Sequence, residues 1–117
     1  MKQRIIVIDE TSTAKEMINE TLTESGYDVV AQLRPGSDLL SKVEEFSPDL
    51  LVINLKKPEM DFLHQIKCVN HLNPMPVVMF TQTDSQGMFD EVINSGVSAY
   101  VVDGLNCAYY NTKTRNS

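Results

Sequence analysis

Five short apolar runs, set apart by stretches with helical spacing, restrict this chain more than any other feature. Ile5-Ile6-Val7-Ile8 is continuous where a half-buried strand would alternate, the pattern of a strand covered on both faces. Tyr27–Leu33, Leu50–Asn54, Val77–Phe80 and Ser98–Val102 complete the set, with Val77–Phe80 also expected to be buried. The intervals carry helix signals. Thr13 and Glu16 can form a capping box, Ala14, Met17, Ile18 and Leu22 give an inward stripe, and Ser25-Gly26 stops it in a left-handed turn. Arg34-Pro35-Gly36 is a turn that delivers Ser37 or Asp38 as N-cap to a helix whose apolar face is Leu39, Leu40, Val43 and Phe46. A third helix covers Asp61 to Leu72. Thr83-Asp84-Ser85 caps a fourth, with Met88, Phe89, Val92 and Ile93 inward and Gly96 at its end.

Four βα units followed by a strand fit an α/β fold, a doubly wound five-stranded parallel sheet of order 2-1-3-4-5. The expected domain spans residues 1–105. Residues 106–117 offer no helical stripe and are expected to be an irregular tail, which leaves a fifth helix missing or irregular. The sheet face such a helix would cover is then underfilled, and a second copy or the tail tyrosines are expected to bury part of it, hiding Val101 or its neighbours.

Charge and cysteine content exclude several functions. A net charge of −6 argues against this segment gripping nucleic-acid backbones, which needs clustered Lys and Arg. No apolar window approaches the roughly 18 residues of a membrane span, and the N-terminal apolar run is too short for a secretory signal, so a cytoplasmic protein is expected. Cys68 and Cys107 have no metal-ligand or disulfide spacing. His64 and His71 lie two helical turns apart, roughly 10 Å, too far to share one metal unaided.

In a doubly wound sheet ligands bind beyond the carboxyl ends of the strands. That rule selects Asp9 and Glu10 after the first strand, Asn54 after the third, Thr81 after the fourth and Asp103 after the fifth. Singly each has a bland explanation: a helix-entry acidic pair, a turn asparagine, a capping hydroxyl. Their joint placement carries the weight.

These residues, with the Lys56-Lys57-Pro58 loop, resemble the response-regulator receiver family over about residues 3 to 105. The resemblance implies a flavodoxin-like fold in which an acidic pair holds a divalent cation, an aspartate ending the third strand takes a phosphoryl group, a hydroxyl and a lysine bind it, and an aromatic in the fifth strand swings. Asp9 and Glu10 match the acidic pair, Thr81 the hydroxyl, Tyr100 the aromatic and Pro58 the loop proline. Asn54 stands where the acceptor is expected and Asp103 where the lysine is. Gly96-Val97-Ser98-Ala99-Tyr100-Val101-Val102-Asp103-Gly104-Leu105, with Pro76–Phe80 before it, looks like the receiver half of ANTAR-type transcription antitermination regulators, including the nitrate-assimilation branch.

The expected function is therefore that of a pseudo-receiver in a two-component, phosphorelay or antitermination system, non-enzymatic and acting through contacts with a sensor or regulatory protein. A homodimer is also considered. No cofactor is expected beyond weak Mg²⁺ binding at Asp9 and Glu10, and Lys56 is a candidate internal cation among the carboxylates. One alternative is a phosphorylation-dependent receiver in which Asn54 is an inactivating variant. A second is a flavodoxin-like cofactor binder or enzyme, weakened because the acidic turn Asp9 to Thr13 lacks a glycine-rich anion loop.

Overall fold

A computed structural model describes residues 3–10, 22–57, 59–82, 89–102 and 107–110. Within them lie six strands: β1 Arg4–Asp9, β2 Asp28–Leu33, β3 Leu50–Leu55, β4 Val77–Thr81, β5 Ala99–Val102 and β6 Cys107–Tyr110. Helices α1 Leu39–Phe46, α2 Met60–Leu72 and α3 Phe89–Asn94 accompany them, and residues 22–24 are also helical. β1 to β5 run parallel in the order 2-1-3-4-5, as the sequence requires. β6 adds an antiparallel strand beyond β5.

That last strand corrects the expectation of an irregular tail, at least for Cys107–Tyr110. The physical reason is tertiary. An uncovered β5 presents a row of unpaired N–H and C=O groups, and a returning segment satisfies them whatever its own periodicity. Ala99 pairs with Tyr110, Val101 with Ala108 and Val102 with Cys107. Asp103 and Gly104 lie between β5 and β6, outside the described residues, as do the Thr13/Glu16 capping box and the Thr83–Ser85 cap.

The continuous apolar runs are buried because helices cover the sheet. Ile5, Ile6, Val7 and Ile8 are each no more than 1% exposed. Their side chains alternate between two layers. Ile6, Ile8, Leu51, Ile53, Met79 and Tyr100 join the inward residues of α1, α2 and α3 in the larger core. Ile5, Val7 and Val52 form a smaller core on the other face, with Leu22, Tyr27 and Val29 packed against it.

Local chemistry fixes the helix ends. Asp38, one of the two cap candidates, is the N-cap of α1: its carboxylate accepts from the Ser41 N–H at 3.3 Å and from the Ser41 hydroxyl at 2.8 Å. At the other end Arg4 donates from Nε and Nη2 to the Phe46 carbonyl, at 3.0 and 2.7 Å, which ties the start of β1 to the end of α1. Asn70 plays a similar part in α2, donating to the Gly96 carbonyl at 3.1 Å and accepting from the Met75 N–H at 3.2 Å. Gly96, at φ +99°, lies against that Asn70 side chain, so the position needs both the left-handed backbone and the missing Cβ.

One strand departs from its expected burial. Val77 and Met79 are fully buried, but Phe80 is 39% exposed. The run Val77–Phe80 is apolar at every position and so cannot signal that only one of its faces is fully covered. No helix among the described residues is long and apolar enough to cross a membrane.

Candidate functional site

Register brings the selected residues together. Asp9 pairs with Asn54 across β1 and β3, Asn54 with Phe80 across β3 and β4, and Leu55 with Thr81 one step further along. The backbone beyond the strands is tied down as well. The Glu10 N–H donates to the Asn54 carbonyl at 3.0 Å, and the Gln82 N–H donates to the carbonyls of Leu55 and Lys56 at 3.3 and 3.1 Å. These bonds hold the first residues after β1 and β4 against the end of β3.

At the centre lie one carboxylate and one amide. Asp9 is 7% exposed, and the half-buried Asn54 donates from Nδ2 to Asp9 Oδ1 at 3.3 Å. A buried carboxylate gains from such a donor, because burial without hydrogen bonds is costly. Glu10 follows directly and is half-buried. Lys56 and Lys57 are exposed just past β3.

The second group lies one layer across. Thr81 is 2% exposed and Tyr100 is fully buried, and the Thr81 hydroxyl donates to the Tyr100 hydroxyl at 3.4 Å. Met79 and Tyr100 are register partners, which places the Thr81 and Tyr100 hydroxyls at adjoining strand ends. Asp103 and Pro58 lie outside the described residues. His64, His71 and Cys68 are exposed on α2, away from this constellation, and Cys107 falls in β6.

The residues present are a poor cradle for a divalent cation. Mg²⁺ takes oxygen ligands in near-octahedral order and relies on carboxylate charge. Here the Asn54 amide nitrogen is directed at an oxygen of Asp9 that a metal would use, and no group of three or more His, Cys, Asp or Glu side chains able to hold a metal occurs among the described residues. Asn54 also cannot act as a nucleophile, since its nitrogen lone pair is delocalised into the carbonyl. What the arrangement offers is a compact polar end to the sheet, held by hydrogen bonds.

Sequence reasoning missed Phe80, the register partner of Asn54 and the one large apolar side chain substantially exposed on β1 to β5. Its signal was absent, since nothing in Val-Val-Met-Phe distinguishes the covered face from the open one.

Comparison with known proteins gives a consistent picture. The family described as the response regulator receiver domain matches residues 5–106. Chemotaxis protein CheY of Bacillus subtilis is 28% identical over 103 residues, which cover 87% of this chain and 86% of that protein. Among solved structures, a CheY-like receiver domain protein from Methanospirillum hungatei superposes with a TM-score of 0.74 at 24% identity, covering 87% of this chain and 82% of that one. The signal receiver domain of a modulated diguanylate cyclase from Desulfovibrio desulfuricans, described as an example of alternate folding, gives a TM-score of 0.76 at 12% identity over 99% of this chain and 98% of that one. At such identities the structural likeness speaks to the fold.

Proposed function

Since this chain belongs to the response regulator receiver domain family, we propose that it is a pseudo-receiver of the antitermination (ANTAR) branch, one that forms no acyl phosphate and signals through protein contacts. Two-component signalling is the setting the family supplies. The observation that carries the silent-site reading is the pair Asp9 and Asn54, in register at the strand ends with the amide donating to the carboxylate. Acyl phosphate formation needs a carboxylate oxygen to attack phosphorus while the donor's leaving group departs, and an amide supplies no such oxygen.

Charge supports the same reading. Asp103 follows Val102 where the resemblance expects a lysine, and a negative charge about 4 Å from an incoming phosphoryl group costs a few kcal/mol at an effective dielectric near 20. Lys56, two residues past Asn54, is the cation we assign to the carboxylate cluster. The antitermination branch rests on the residues from Gly96 to Leu105. The partner is a sensor or regulatory protein that reads the surface of the module, and the module itself catalyses nothing.

A restoration experiment tests this. The double variant Asn54→Asp with Asp103→Lys, given acetyl phosphate and Mg²⁺, should take up a phosphoryl group where the unmodified chain does not, because Asp9, Glu10 and Thr81 are retained. Circular dichroism checks that the variant is folded. Equal uptake by both chains, mapped to this site, contradicts the proposal.

A further inference from the structure

The other side of β4 and β5 carries a surface the silent site does not use. Val77, Met79, Tyr100 and Val102 are fully buried on the helix-covered face, whereas their neighbours Val78, Ala99 and Val101 are half-buried and Phe80 is 39% exposed. Register aligns Asn54, Phe80 and Val101 in one row across β3, β4 and β5, so this open apolar face begins beside the Asp9–Asn54 pair. None of α1, α2 and α3 lies over it, since their buried residues belong to the opposite core. The small core of Ile5, Val7 and Val52 covers the same face at β1 and β3, so it is over β4 and β5 that the sheet is fully buried on one face only, the exception in proteins of this architecture.

We propose that this face docks an amphipathic α-helix of a partner protein, with leucine-like side chains toward Phe80 and Val101 and a carboxylate toward Lys57. Dimensions favour a helix. The axes of β4, β5 and β6 together span about 10 Å, the width of one helix with its side chains, and the five residues of β4 run about 17 Å, the length of roughly 11 helical residues. Charge selects its sign. Lys56-Lys57 is the one pair of adjacent cationic residues in a sequence of net charge −6, and it is exposed at the carboxyl end of β3, where the Gln82 N–H on the Lys56 carbonyl holds it beside β4. A second copy, carrying the same net negative charge, is the less complementary occupant.

This inference rests on the reading that the module works through contacts, and it deepens that reading by naming the surface and the partner's chemistry. Its test uses the full chain and a capped synthetic helix of about 14 residues, with leucines at i, i+3, i+4 and i+7 and glutamates at one end; a control peptide carries lysines in their place. Titration followed by amide NMR should show saturable binding below about 1 mM, with shifts centred on Phe80, Val101 and Lys57. Phe80→Ser should weaken binding at least about tenfold. Lys57→Glu should weaken the glutamate peptide a few fold and not the lysine peptide, a contrast that survives if Phe80→Ser fails to fold. Leu72→Ser, which removes another exposed apolar side chain, should change nothing. Absence of binding at millimolar peptide, binding indifferent to both Phe80→Ser and Lys57→Glu, or a dimer of the chain alone that buries Val101 would each overturn the proposal. A phosphoryl adduct on the unmodified chain would remove the silent-site reading and leave this titration unchanged, so the two can fail separately.

Discussion

Asp38 shows how much one exposed side chain can do. The hydrogen bonds from the Ser41 side chain and then from the Ser41 N–H lower its pKa below the ordinary 3.8, with a smaller contribution from the Lys42 charge. A carboxyl whose pKa is depressed on folding contributes stability that is present above the unfolded value and is lost as pH falls through the folded one. We therefore expect Asp38→Ala to lower the melting temperature at pH 7 and to narrow its gap from the parent chain in an acid titration below pH 3.8. An unchanged gap across that range would show that the cap is not the source. Gly96 gives the opposite kind of residue, one fixed by exclusion. Gly96→Ala forces a side chain into a φ of +99° and against Asn70, and should cost about 1–3 kcal/mol in denaturant unfolding. Both positions were legible: a polar residue before an apolar stripe and a glycine after one have few other meanings. Phe80 was not, because exposure is a property of what lies above a strand and not of the strand.

At the scale of elements, the β1–β5 order was legible because each strand is built on an apolar run, interrupted in β2 by Gln32, and each interval is long enough for a crossover. Boundaries fell within one residue for β2, where Tyr27 was expected and Asp28 begins the strand, and for β5, where Ser98 was expected and Ala99 does. β6 was illegible. Cys-Ala-Tyr-Tyr has neither helical nor clean alternating character, and it becomes a strand only because β5 offers a free edge. Truncation after Leu105 should therefore expose that edge, lower stability on the order of 1–3 kcal/mol through the lost ladder bonds, and produce concentration-dependent association in light scattering. A truncated chain as stable and as monodisperse as the full one would mean that β6 contributes nothing to the edge. The two edges differ in design, since β2 is irregular: Val29 pairs with Ile5 and Ala31 with Ile6, leaving Val30 as an extra residue.

At the scale of the whole molecule, the receiver sheet, the buried Thr81–Tyr100 pair and the tied ends of β1, β3 and β4 are in place, and the function we propose turns on Asn54 standing where phosphoryl chemistry needs a carboxylate. Topology selected Asp9, Asn54 and Thr81, which the structure brings to adjoining strand ends, and the silent chemistry proposed for them rests on the identity of Asn54. An underfilled face over β4 and β5 was expected from the missing helical stripe after Leu105, and what the sequence withheld was that Phe80 is the side chain it exposes. The central claim is that the scaffold is retained and the reaction is not. It is tested by the intact mass of the unmodified chain before and after incubation with acetyl phosphate and Mg²⁺. We predict no change, and a gain of about 80 Da that maps to this strand-end site would contradict the account.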